Sequence, residues 1–258
     1  MSHACCPTDR TALPGKLKKC TGVTVQVPVE NAEPIDCYMT GTSKHWLVVV
    51  YDIFGMHPNK YELADWIAAN RDLSVAIPDI RRGKNWPIDK YPLVTPEDKE
   101  RFSEYLAGDA NPLARGIETR ACIDFLTVDR ACQSVSLLGL CWGAKVCSLV
   151  GGYKGVKCVV GAHPSFLKSE DGENTAIPTL LLPTKEDNLT AYLTGALRNP
   201  NPSLFKVSEK YFATFHGFLG ARGQWDHPDE SPFVENAKVD ITEFVAKHNG
   251  SANRQDSL

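Results

Sequence analysis

The residues Leu138 to Ala144 read L-G-L-C-W-G-A, a G-x-C-x-G pattern centred on Cys141. An apolar run, Val135 to Leu140, precedes it, and the apolar Gly143 to Val150 follows, so the spacing predicts a strand, a sharp turn and a helix. At such a turn the central residue takes a strained backbone, and small residues at Gly139 and Gly143 let strand and helix approach closely. Its side chain then stands above the carboxyl end of the strand, with the positive end of the helix dipole directed at it. A cysteine placed there is expected to be stabilised as a thiolate. The competing reading is a buried cysteine beside a glycine turn; the strand before and the helix after favour a nucleophile.

Outward from this turn the chain alternates. Strands are expected at Gly22 to Pro28, Ile35 to Met39, Trp46 to Tyr51, Ser74 to Pro78, Lys157 to Ala162, Thr179 to Leu182 and Lys210 to Phe215. The run W-L-V-V-V-Y from Trp46 has the continuous apolarity of a strand covered on both faces. Helical spacing marks Pro58 to Asn70, Glu97 to Leu106, and a further helix bearing Leu113, Ile117, Ala121 and Phe125. A last helix opens at Ser231-Pro232, carries Phe233, Val234, Ala237, Ile241, Phe244 and Val245, and stops at Asn249-Gly250. Strands alternating with helices predict one α/β domain over residues 22–250, with a mostly parallel sheet covered on both faces. Residues 1–21 read as a polar N-terminal segment and 251–258 as a frayed tail.

Composition narrows the function. The 258 residues carry 28 Lys+Arg against 31 Asp+Glu, a net charge of −3, which excludes nucleic-acid binding through bulk positive charge. No run approaches the roughly 20 apolar residues of a membrane span. The opening MSHACCPTDR lacks a basic head and apolar core, and the final Asp256-Ser257-Leu258 is not a peroxisomal tripeptide, so a cytoplasmic protein is expected. The 9 cysteines include no C-x-x-C pair, which argues against a zinc site, and most are expected as buried thiols. Cys5-Cys6 has no assigned role.

A cysteine nucleophile needs a base, and imidazole suits that near neutral pH. In α/β hydrolases the order along the chain is nucleophile, acid, histidine. His163 precedes the strand at Thr179, leaving His216, His227 and His248. His227 lies in the polar turn W-D-H-P-D, and His248 lies in the last helical turn, where a helix-end charge explains it. His216, directly after Thr214-Phe215, is the expected base. The acid should follow the strand Thr179 to Leu182; Asp187 is preferred, with Glu186 as its competitor.

Three motifs in this order, Y-D-I-F-G at 51 to 55, G-L-C-W-G at 139 to 143 and H-G-F at 216 to 218, resemble the dienelactone hydrolase family. That family comprises α/β hydrolases with a cysteine nucleophile and includes carboxymethylenebutenolidases. The resemblance spans about Val23 to Lys247, and A-H-P-S-F at 162 to 166 resembles its eukaryotic, especially fungal, branch. It implies a single domain without metal or organic cofactor, with Cys141 as nucleophile, His216 as base and Asp187 as acid. It also implies an oxyanion hole made by the backbone amides of Ile53 and Trp142. Family members usually carry glutamate where this chain has Asp52, a carboxylate thought to accept the thiol proton when substrate binds. Substrate carboxylates in the family are held by arginines, which points to Arg82 and Arg222; Arg81, adjacent to Arg82, should point another way. Phe54, Trp86, Trp142 and His163 are candidates to wall the pocket. The expected activity is hydrolysis of a lactone or small carboxylic ester through an acyl-cysteine, by a monomer or homodimer. The alternatives are a thiol-based sensor or small-molecule binder on the same scaffold, which does not turn over, and a small-peptide or thioester hydrolase using the same residues.

Overall fold

The computed structural model describes residues 20–250; the Cys5-Cys6 pair and the tail from Ser251 lie outside them. The chain opens with a hairpin of β1 (Val23–Val29) and β2 (Ala32–Thr40), antiparallel to each other. Next come β3 (His45–Val50), α1 (Pro58–Asn70) and β4 (Ser74–Pro78), then α2 (Pro96–Ala107) and α3 (Pro112–Asp129). The second half runs β5 (Ser134–Leu140), α4 (Trp142–Val150), β6 (Val156–Ala162), α5 (Ser169–Glu173), β7 (Thr179–Leu182), α6 (Thr190–Ala196), β8 (Phe205–Val207) and α7 (Ser231–Asn249). The eight strands form one sheet in the order β1-β2-β4-β3-β5-β6-β7-β8, parallel from β4 to β8.

The central strands are apolar throughout because both of their faces are covered. Leu47, Val48 and Val49 are fully buried, as are Leu137 and Leu138 in β5. Each helix packs by one stripe. In α1 the buried stripe is Lys60, Leu63, Ala64 and Ile67, and in α7 it includes Val234, Ala237, Ile241 and Val245. Left-handed Gly250 (φ +81°) ends α7. Among the described residues no helix is long and apolar enough to cross a membrane, and none of the cysteines forms a disulfide.

Two expectations need correction. Lys210 to Phe215 is not a strand: Glu209–Tyr211 forms a single 3-10 turn, and the edge position in the sheet is taken by β8. Tyr211 and Lys210 are drawn instead to α7, where both bond Asp240, and Tyr211 stacks on Phe218 at 5.5 Å. In α3 the stripe at steps of four packs only through Ala121 and Phe125. Leu113 and Ile117 are exposed, while Thr119, Cys122, Ile123 and Leu126 are buried.

Register aligns the carboxyl ends of four strands. Val50 pairs with Gly139, Leu140 with Ala162, and Ala162 with Leu182. The residues that follow, Tyr51 to Phe54, Cys141, His163 and the loop Thr184 to Asp187, therefore emerge side by side at one edge of the sheet, where ligands of such sheets bind. Gly143 makes this convergence possible. A methyl group on its Cα would stand 2.1 Å from the Val50 carbonyl oxygen and 2.8 Å from that of Tyr51. Gly143→Ala should thus force α4 away from β3 and destabilise the protein by about 3 kcal/mol. Denaturant unfolding checks this, and wild-type stability would show that the close approach is dispensable.

Candidate active site

Cys141 alone makes the turn between β5 and α4, at φ +54° and ψ −116°. That conformation costs a non-glycine residue about 1–3 kcal/mol. Neighbouring backbone holds it. The Cys141 amide donates to Ala162 O at 3.1 Å, and its carbonyl accepts from the amides of Ala144 and Ser165, both at 3.1 Å. The sulfur lies 3.6 Å from Ser165 Oγ and the residue is 2% exposed. Trp142, the first residue of α4, carries an amide at the positive end of the helix dipole. Its indole is fixed by a 2.8 Å bond to Ala110 O.

His216 is 1% exposed and lies between two acids that do different jobs. Asp187 Oδ1 is 2.5 Å from the ring Nδ1, while Glu186 Oε2 accepts the His216 main-chain N–H at 2.9 Å. Asp187 is itself oriented by the amide and hydroxyl of Thr184 at 2.7 and 3.0 Å on Oδ2. The structure thus separates two residues that sequence order could not: Asp187 meets the ring and Glu186 the backbone. The ring Nε2 is buried with no hydrogen-bond partner. Burial opposes charge on this imidazole, but the Cys141 sulfur, when ionised, and the bonded Asp187 carboxylate outweigh it, raising its pKa from 6.5 to about 10.

His163 ends up beside this pair. Its ring meets the His216 ring edge-on at 5.1 Å and Phe218 at 5.7 Å. It is fully buried, at φ +38°, and neither ring nitrogen has a hydrogen-bond partner. Burial pushes its pKa down, with the Cys141 sulfur opposing and the neighbouring His216 adding to the shift, and the net direction is downward.

Three donors hold the Asp52 carboxylate. Its Oδ1 accepts from Lys60 Nζ at 2.9 Å and from the Phe54 amide at 3.0 Å, and its Oδ2 accepts from the Ala221 amide at 3.0 Å. Burial would raise its pKa, but Lys60 and the Ala221 amide hold it below the ordinary value. Sequence reasoning missed Lys60. The signal was present, a lysine inside the apolar stripe of Leu63, Ala64 and Ile67.

The two adjacent arginines part company, and Arg82 is not at the site. At φ +52° it turns outward, with Nη1 on Glu118 at 2.7 Å and Nη2 on Glu33 O at 2.8 Å. Arg81 takes the inward place, at 1% exposed. Its guanidinium lies over the Tyr51 and Trp142 rings at 4.7 and 4.6 Å, and Nη2 bonds Asp52 O and Asn85 Oδ1, both at 2.8 Å. Its Nε and Nη1 are buried without hydrogen-bond partners. Arg222 is buried too, with Nη1 on His216 O at 2.5 Å and its head near the Tyr91 ring. Phe54 packs edge-on against Tyr91 at 5.7 Å. Trp86 belongs to the support behind the site: its amide bonds Ile53 O at 2.9 Å and its ring meets Phe102 at 4.9 Å.

A mostly parallel sheet with a left-handed cysteine at its central strand-to-helix turn, facing a histidine bonded to an acid from a later strand end, defines an α/β hydrolase. Within that class the chain belongs to the dienelactone hydrolase family, whose model matches residues 35–240. Over 93% of its length it is 26% identical to a Schizosaccharomyces pombe protein described as an uncharacterized AIM2 family protein, 97% of which is covered. It is 25% identical to a carboxymethylenebutenolidase homolog of Mus musculus, over 78% of this chain and 82% of that one. Among solved structures it resembles a dienelactone hydrolase-like promiscuous phosphotriesterase from metagenomic libraries. The TM-score is 0.62 at 16% identity, covering 87% of this chain and 98% of that one.

If Asp187 is what keeps the His216 ring charged, Asp187→Asn should lower its titration well below about 10. Glu186→Gln, which touches only main chain, should leave that titration in place. Proton NMR of the ring separates the two, and equal shifts would refute the division of labour.

Proposed function

We propose that the protein hydrolyses a lactone or small carboxylic ester through an acyl-cysteine, with Cys141 as nucleophile, His216 as base and Asp187 as orienting acid. The observation that carries this reading is the His216 ring, bonded at Nδ1 to Asp187 and buried with an open Nε2 in the field of the Cys141 sulfur. An imidazole so arranged can give a proton to a leaving oxygen and then take one from water.

In the proposed cycle the Cys141 thiolate attacks the carbonyl carbon, and the electron pair of the carbonyl passes to its oxygen. The amides of Ile53 and Trp142 are the donors for that oxyanion. Two fixed donors of this kind stabilise it by roughly 3 kcal/mol each. The tetrahedral species collapses with loss of alkoxide, which takes the His216 proton. Water, deprotonated by His216, then cleaves the acyl-sulfur bond and restores the thiolate. Gly143 supports the scheme, because it lets the Ile53 loop and the first turn of α4 approach.

Arg81, with Nε and Nη1 unmatched, is the donor we assign to a carboxylate on the substrate, in place of Arg82. With both Nη2 hydrogens taken by Asp52 O and Asn85 Oδ1, a carboxylate would be met at Nε or Nη1 by a delocalised, permanently charged donor that a lysine does not reproduce.

Cys141→Ala should abolish turnover of p-nitrophenyl acetate without changing the circular dichroism spectrum, and Asp187→Asn should lower kcat on the order of 10³–10⁴-fold. Undiminished turnover by Cys141→Ala would remove the mechanism. A wild-type burst that stops at one equivalent per chain would favour a thiol sensor over an enzyme. Arg81→Lys should raise KM for a carboxylate-bearing lactone by about tenfold or more while sparing neutral esters. Equal losses on both substrates would assign Arg81 to support of the site instead.

A further inference from the structure

The scheme above leaves a buried ion pair without a task. The Lys60 side chain is 0% exposed and that of Asp52 4%. Burying two opposite charges commonly costs as much as their attraction returns, so stability alone is a weak reason to find them here. Burial lowers the Lys60 pKa and Asp52 works against that; a negative charge on the nearby Cys141 sulfur would further favour the Lys60 cation and oppose the Asp52 anion.

The charged and titratable groups around this cluster come from several elements. Lys60 stands on α1, Asp52 after β3, Arg81 after β4, Tyr105 on α2, His163 after β6, Asp187 after β7, and His216 in the loop before α7. Asp52 is saturated, with an ammonium and two amides on its oxygens. A carboxylate held this way is a poor proton acceptor. Asp187 is occupied by the His216 ring and by Thr184. His163 is kept neutral by burial, and Tyr105 keeps its proton, pushed up by burial to about 12. The His216 Nε2 is the acceptor that remains.

We propose that Lys60 is a positioning residue for the nucleophile: by holding Asp52 as a fully bonded, charge-matched carboxylate, it leaves the thiol proton to His216, so that Cys141 rests as a thiolate before substrate arrives. The inference rests on Cys141 being the nucleophile. One S–H bond breaks and one N–H bond forms at Nε2, turning a neutral thiol and imidazole into a thiolate and an imidazolium with no co-reactant. Lys60 acts through the charge of Asp52 and does not touch the sulfur.

Removing either charge should have opposite effects. Lys60→Met leaves Asp52 unmatched, and its charge opposes a second negative charge on the sulfur. Asp52→Asn keeps an acceptor oxygen for one of the two amides, sets its NH2 against the other, and leaves Lys60 unmatched, which favours the sulfur anion. The measurement is ultraviolet thiolate absorbance against pH on substrate-free full-length protein, each taken as a difference from its Cys141→Ser counterpart. It needs no reagent access to a buried sulfur, and the thiols of Cys37, Cys147 and Cys158 stay protonated because burial pushes them up.

The wild type should show about one thiolate per chain at neutral pH. The Lys60→Met midpoint should lie about one pH unit or more higher, Asp52→Asn lower, and Lys60→Arg close to wild type. No resting thiolate in the wild type overturns the proposal even if Lys60→Met fails to fold. Shifts of the same sign in the two variants overturn it as well, because loss of packing has no reason to move the midpoint in opposite directions. A wild type that turns over ester with a protonated resting thiol would sink this inference alone. Turnover by Cys141→Ala would sink the hydrolase reading beneath it.

Discussion

The contact between the first turn of α4 and the end of β3 fixes where the other groups of the site must stand. With no room for a methyl group between Gly143 and the Val50 carbonyl, the helix begins directly against the strand, and the residue before it has to turn through a left-handed conformation. That puts the Cys141 sulfur over the sheet edge between the loops that follow β3 and β6. The strain is carried by three backbone hydrogen bonds, to Ala162, Ala144 and Ser165, each supplied by an element already locked in place. The remaining groups arrive because the strand ends are level. Asp52, His163 and Asp187 are spread over more than a hundred residues of chain yet follow three strands whose ends lie in one row.

What the sequence revealed follows from how local each signal is. The run from Trp46 to Tyr51 and the glycines around Cys141 are short-range patterns with one sensible structural solution, and they place the central strands and the turn. His216 was found by chain order, because the histidine must follow the acid. Lys210 to Phe215 misled because its aromatic residues are apolar for a different reason: Tyr211 packs on Phe218 and reaches Asp240 on α7, contacts that no alternation encodes. Arg81 and Arg82 are alike in composition, and only the positive φ at Arg82 and Gly83 decides which one turns inward. Asp187 and Glu186 likewise differ by one position on a loop whose path is set by Thr184. Lys60 was legible in principle, since a charge inside an apolar helical stripe requires a buried partner, but the partner lies across the fold.

Charge is distributed through this interior in matched units. Lys145 on α4 grips both oxygens of Asp171 on α5 at 2.6 Å, and Lys60 meets Asp52 at 2.9 Å. Each pair joins two elements, so the low-dielectric setting that makes an unpaired charge costly also makes these groups firm landmarks.

The histidine is pinned more thoroughly than any of them. Glu186 takes its main-chain N–H, Arg222 its carbonyl and Asp187 its ring. Such a ring has no freedom to swivel, so successive proton partners must travel to one stationary nitrogen and queue there. In the proposed cycle on a cyclic ester, the first visitor would remain tethered to the acyl group after ring opening. It would have to swing clear before water could occupy the same berth, which would make the slack in the opened chain a determinant of how fast the cycle closes.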